Sequence, residues 1–185
     1  MKNIPISTKS QDKAKSITLI LERFIVLSKS SRDFQKVVKL RKMKKIIWLM
    51  TLVGIDQYSK YWAMNNLEIP RKITDFFSLN FVENSGIAFS ISIPPIFLLV
   101  LISAIVLYLV YYLWKTKLSN TAEISVVLIT AGAMGNLIDR FLNNGSVIDF
   151  LSFWSFPIFN FADIFIFCGV AIYLFMEIFS VPKTE

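Results

Sequence analysis

Four apolar stretches limit what this chain can fold into. Residues 46–64, 94–114, 122–138 and 158–179 consist mainly of Ile, Leu, Val and aromatic side chains. Crossing a hydrocarbon core about 30 Å thick takes about 20 helical residues, and each stretch approaches that length. In lipid an unpaired backbone N–H or C=O finds no water, so this few segments can cross only as helices. The expectation is an all-α membrane protein built as a bundle of four transmembrane helices. A 55% hydrophobic content and a mean hydropathy of +0.57 over 185 residues also point to a bilayer.

Charge sets the orientation. Residues 1–45 hold 13 Lys or Arg against 3 Asp or Glu. This basic, Ser-rich extension is expected to be a flexible cytoplasmic arm, with a short amphipathic helix at 17–27 on the membrane surface and anionic lipids as its partners. Nucleic acid, the other partner of basic arms, does not fit a chain otherwise embedded in lipid. Met43, followed by Lys44-Lys45 and an apolar run, has the form of many membrane-protein starts, so residues 1–42 read as dispensable. Arg41, Lys42, Lys44 and Lys45 precede the first apolar stretch, Lys115 and Lys117 separate the second from the third, and Lys183 follows the fourth. Basic flanks stay inside, which makes both termini cytoplasmic, including the tail 181–185, and turns the connections 65–93 and 139–157 outward. Alternating patches at 78–82 and 88–93 around Asn84-Ser85-Gly86 predict a small extracytoplasmic β-like loop domain between the first and second helices. Residues 46–180 form the membrane-embedded domain in this reading.

The residue types that are missing narrow the chemistry. The chain has no His and one Cys, Cys168. That excludes a zinc site of His and Cys, every His-based triad and any internal disulfide. Cys168, inside an apolar run, is expected to pack in the core. Ser59 and Lys60 are adjacent and diverge by about 100° on a helix, so they do not form a Ser–Lys pair. Gly132 and Gly135 in the small-residue patch 131–135 predict close helix packing. No metal set, cofactor motif or internal repeat is visible.

The polar residues converge on this topology. Asp56 and Lys60 are spaced i, i+4 in the first stretch, the order that favours a structural ion pair. Asn136, Asp139 and Arg140 share a face at the outer end of the third stretch, and Asn160 and Asp163 share one at the outer start of the fourth. With a helix starting at Ile158, Asp163 lies roughly 7–8 Å inside the boundary. Asp149 and Asn84 sit in the two outer connections. Charged groups in a bilayer are costly, so they are paired or functional. Two neighbouring carboxyls in a low dielectric share a proton. One then takes a proton from water while the other donates to a carbonyl oxygen. Spacing alone does not rank Asp149 above Asp139 as the partner of Asp163. The same carboxylates would suit a small proton-coupled carrier, but carrier sites lie near the midplane of repeated halves. A purely structural membrane subunit, indifferent to Asn at both aspartates, is the third reading.

Five blocks in order resemble the lipoprotein signal peptidase (signal peptidase II) family. They are Asp56-Gln57-Tyr58-Ser59-Lys60, Asn84-Ser85-Gly86-Ile87-Ala88-Phe89, Gly132 through Arg140, Val147-Ile148-Asp149-Phe150, and Phe159-Asn160-Phe161-Ala162-Asp163. The resemblance implies an aspartic endopeptidase of the bacterial inner membrane. It would remove the signal peptide from diacylglyceryl-modified prolipoproteins, cutting just before the lipidated Cys at the extracytoplasmic face. It implies Asp149 and Asp163 as the catalytic pair and Asn84, Asn136, Arg140 and Asn160 as polar supports, with Asp139 in reserve. No cofactor, metal or second copy of the chain is implied. The chain departs from the family pattern at residues 1–42, which have no counterpart in it, and at Ile87, where a small residue is usual.

Overall fold

The computed structural model describes the backbone of residues 8–85 and 95–179 and the side chains of residues 33–85 and 96–179. Two compact units divide the chain between Lys44 and Lys45. In the first unit the chain is helical from Thr8 onward, the start of α1 (Thr8–Asn66). The helix expected at 17–27 lies inside this longer helix. No Pro or Gly occurs from Ile6 to Val53, and Lys, Leu, Gln and Arg are good helix formers.

The second unit contains the rest of α1, then β1 (Arg71–Lys72), β2 (Phe77–Asn84), α2 (Pro95–Lys115), α3 (Asn120–Leu142), β3 (Val147–Phe153) and α4 (Phe161–Phe179). Among the described residues three helices are long and apolar enough to cross a membrane: Ile96–Lys115, Asn120–Leu142 and Phe161–Phe179. The end of α1 is more polar because it carries Asp56, Gln57 and Lys60.

The packing is polar inside and apolar outside. Lys60, Asn160, Thr130, Asp56, Asp139 and Ser125 are among the largest fully buried side chains, whereas Phe97, Leu107, Phe167 and Ile178 are 70–73% exposed. Lipid solvates apolar side chains and leaves the bundle interior to polar contacts and close packing. Gly132 and Gly135 provide that closeness on α3. A Cβ on Gly132 would strike Ala162 O, and one on Gly135 would strike the Asp56 carboxylate. Ser125 Oγ donates to Gly169 O at 2.8 Å further along the same seam. Cys168 is exposed, which corrects the core placement: its neighbour Gly169 takes the buried face of α4. At the opposite end Lys45 Nζ donates to Leu113 O at 2.9 Å and pairs with Glu123 at 3.2 Å. A cation at the last turn of α2 and an anion in the first turn of α3 both suit the helix dipoles.

The three strands form one antiparallel sheet in the order β1-β2-β3. The sheet draws on both connections, whereas the sequence suggested the first alone. Ile87 and the patch at 88–93 lie outside the described residues. Val147 through Leu151 of β3 are buried on both faces, which removes the alternation that marks a strand in a sequence. Two features of the sheet position the polar residues beside it. Between Leu79 and Val82 the β2–β3 register shifts by one residue, a bulge at Asn80-Phe81. After β3 the chain turns at Trp154 (φ 48°) and returns through an antiparallel bridge between Leu151 and Phe159. That bridge keeps Phe159 extended, so α4 starts at Phe161 rather than at 158. Asp163 is then the third residue of its helix and not the sixth.

Candidate active site

Asn160 and Asp163 open α4 with a reciprocal cap. Asp163 N donates to Asn160 Oδ1 at 2.9 Å, and Asn160 N donates to Asp163 Oδ2 at 3.1 Å. This is the capping-box arrangement with Asn and Asp in the two roles, and it satisfies otherwise orphaned N–H groups at the helix start. It also fixes the Asp163 carboxylate at the positive end of the helix. The Asn160 amide is left free to reach sideways. Its Nδ2 donates to Asp149 Oδ1 at 2.7 Å and lies 3.2 Å from Ile148 O and 3.1 Å from Asn136 Oδ1. One residue therefore holds both aspartates, Asp163 by its backbone and Asp149 by its side chain.

The bulge supplies the other support of Asp149. Val82 pairs with Asp149 and Asn84 with Val147. Asn84 therefore lies on the same face of the sheet as Asp149, one diagonal away. Its Nδ2 donates to Asp149 Oδ2 at 3.0 Å. If the same strand paired with β3 without a bulge, the register beyond Leu79 would be off by one and Asn84 would face the other way.

Asp149 is 3% exposed. Burial pushes its carboxyl up to about 6, and the charge of Asp163 adds to the rise. The hydrogen bonds from Asn84 and Asn160 and the charge of Lys60 oppose it. Desolvation and a like charge disfavour the anion, while donors and a cation favour it.

α3 contributes Asn136, Asp139 and Arg140 to different places. Asn136 Nδ2 donates to Asp163 Oδ1 at 2.8 Å. Asp139 touches neither Asp149 nor Asp163 through a hydrogen bond. It lies 2.9 Å from Lys60 Nζ through Oδ2, the same oxygen that accepts from Ile148 N at 3.0 Å. Lys60 also lies 2.8 Å from Asp56, so the expected pair is a three-membered cluster. Arg140 Nη1 donates to Asn136 O at 3.3 Å, and its buried Nε has no partner among the described residues. Arg140 lines a 220 Å³ cavity with Ile96, Leu99, Phe141, Asn144 and Gly145.

Sequence reasoning gave Gln57 no role. Its Nε2 donates to Asp139 Oδ1 at 2.9 Å, lies 3.1 Å from Gly135 O and 3.2 Å from Asp56 Oδ2. The available signal was a polar amide within an apolar helix, next to Asp56. Ser59 Oγ turns back to Asp56 O at 2.7 Å, away from any nucleophilic role. Among the described residues no cluster of three or more His, Cys, Asp or Glu could hold a metal ion. The site brings two carboxyls together, one with a raised titration point, amid amides that donate to both. Such an arrangement can hold one shared proton and polarise a carbonyl.

Comparison with known proteins covers the stretch of chain that holds these residues. A family model described as signal peptidase (SPase) II matches residues 48–179. A lipoprotein signal peptidase of Clostridioides difficile is 37% identical over 152 residues, covering 77% of this chain and 100% of that protein. One from Lactococcus lactis is 38% identical over 152 residues, with the same coverage of 77% and 100%. A solved structure of a bacterial membrane enzyme, obtained by the in meso method, superposes with a TM-score of 0.67 at 28% identity, over 75% of this chain and 94% of that one.

Proposed function

The chain belongs to the signal peptidase II family, and from that premise we propose that it is an aspartic endopeptidase with Asp149 and Asp163 as its catalytic dyad. Its substrates are prolipoproteins carrying diacylglycerol, cut just before the modified Cys. The observation that carries the dyad is the single residue Asn160, bonded to both carboxyls at 2.7 and 3.1 Å. The raised titration point of Asp149 fits a pair that retains one proton.

In the reaction one carboxylate takes a proton from water as the water oxygen bonds to the scissile carbonyl carbon. The other, protonated, gives its proton to the carbonyl oxygen. Collapse of the tetrahedral intermediate breaks the C–N bond: a hydroxyl of the intermediate returns its proton to the second carboxylate as the carbonyl re-forms, and the proton first taken from water passes to the leaving amine. Asn84, Asn136 and Asn160 keep both carboxyls aimed. Arg140 Nε, a buried donor without a partner among the described residues, suits an incoming acceptor on the substrate.

The topology proposed is four crossings, with residues 46–64 of α1 as the first. The lysine cluster supports this, because Asp56, Lys60 and Asp139 offset one another's charge and all three are at most 2% exposed. Basic flanks at Arg41 through Lys45 and at Lys115 and Lys117 put the termini in the cytoplasm and the site at the outer face. The carrier reading finds no support in the relatives. The test is cleavage of a diacylglyceryl-modified precursor by purified Asp149→Asn and Asp163→Asn proteins. Both are expected to fold and to lose turnover by a factor of about 10³ or more. Substantial cleavage by either would remove the dyad.

A further inference from the structure

The Lys60 cluster reaches the site by three routes, each ending beside one of the two aspartates. Asp56 Oδ1 accepts from Ala162 N at 2.8 Å, the residue before Asp163. Asp139 Oδ2 accepts from Ile148 N at 3.0 Å, the residue before Asp149. Lys60 Nζ donates to Asn136 Oδ1 at 3.0 Å, and the other end of that amide donates to Asp163 Oδ1 at 2.8 Å. An ammonium has three donors and no acceptor, and all three are used here, on Asp56, Asp139 and Asn136.

The third route fixes a choice that Asn136 alone leaves open. An amide can be flipped so that its NH₂ and its oxygen exchange places. Flipped, Asn136 would set its NH₂ against the ammonium of Lys60 and its oxygen against the carboxylate of Asp163. Both contacts would be between like groups in a buried site, where unmet donors and acceptors are expensive. Lys60, with the Asn160 amide that donates to the same oxygen at 3.1 Å, therefore sets which end of Asn136 faces the dyad.

Resting on the dyad reading above, we propose that Lys60 is a positioning residue for catalysis: through Asn136, and through Asp56 and Asp139, it holds the backbone and side chains that aim Asp149 and Asp163. The charged groups that act on it are Asp56 on its own helix, Asp139 from α3 and Asp149 from β3; Arg140 from α3 and Asp163 from α4 act in turn on Asp149.

The test uses the full-length enzyme in detergent with a lipid-modified precursor. Lys60→Met combined with Asp56→Asn leaves the formal charge of the cluster unchanged and avoids stranding a second carboxylate. This variant is expected to unfold cooperatively and to lose kcat by about tenfold or more. Loss of the cation makes Asp149 harder to ionise, so the limb of kcat/KM that reports it moves to higher pH. Asn136→Ala is then made in both backgrounds. If Lys60 acts through Asn136, the Asn136 substitution costs clearly less in the Lys60→Met/Asp56→Asn background than in the wild type. Additive losses with an unmoved pH limb would overturn the proposal and leave Lys60 as a fold element only. Should the double variant fail to fold, Asp139→Asn carries the same test: a lower kcat at unchanged KM supports positioning, and full activity overturns it. Failure of the dyad itself is seen separately, as turnover by Asp149→Asn or Asp163→Asn.

Discussion

At the scale of single residues, the proposed chemistry depends on how Asp149 is surrounded. Its carboxyl is buried beside a second carboxyl and titrates at about 6 instead of its ordinary 3.8. The folded state thus binds this proton more tightly than the unfolded chain does. Where the native state holds the extra proton, stability falls as pH rises. The contribution is fully present below pH 3.8 and is lost as pH climbs through about 6, each pH unit being worth about 1.4 kcal/mol. Thermal unfolding in detergent should show the midpoint falling over this window, and Asp149→Asn should flatten the slope; an unchanged slope would contradict the assignment. Activity follows the same sign. The alkaline limb of kcat/KM is expected at about pH 6 or above, and that of kcat higher still, because a bound apolar substrate excludes more water. The absence of His and the lone Cys168 pointed at this scale, from the sequence, to the carboxylate mechanism proposed above. Gln57 was not legible, because nothing in its neighbourhood in the chain says that Gly135 O and Asp139 will stand opposite it.

At the scale of elements, one inserted residue and two glycines do much of the positioning. Inserting one residue between Val82 and Glu83 moves Asn84 one place along β3 and should turn it away from Asp149. The loss in kcat/KM should match that of Asn84→Ala, about tenfold or more for one hydrogen bond to a charged group. An insertion variant with wild-type activity would show that the register does not place Asn84. Gly135→Ala drives a methyl into the Asp56 carboxylate, with Ala162 Cβ 3.3 Å away to block its retreat. Overpacking of this kind costs about 1–3 kcal/mol. Gly54 has nothing within 4 Å, so Gly54→Ala should be neutral or stabilise by up to about 1 kcal/mol. Unfolding midpoints of the two variants test the contrast. The small-residue patch at 131–135 announced its packing role in the sequence, since small side chains in an apolar helix have few other uses. The strand β3 did not announce itself, because burial on both faces erased its period.

At the scale of the whole molecule, the proposed site lies entirely within residues 45–185, the second compact unit. Removal of residues 2–42, keeping Met43 and the lysines after it, should leave turnover per folded molecule unchanged; a large loss would mean that the first unit takes part in the reaction. Apolar length and the residue types missing from the chain were enough to determine a membrane helix bundle and to exclude His-based chemistry. Each of these depends on composition within a short window, and partition into lipid reads composition directly. Tertiary structure alone decided that both connections join in one sheet, and that Asp139 bonds to Lys60 while Asn160 spans both aspartates. It also set Asp163 in the first turn of α4. Apart from the local Asn160–Asp163 cap, these outcomes depend on a bulge, a bridge and helix contacts that bring residues 11 or more positions apart into hydrogen-bond range. Contacts at that separation follow from the path of the folded chain, and no local pattern of side chains encodes them.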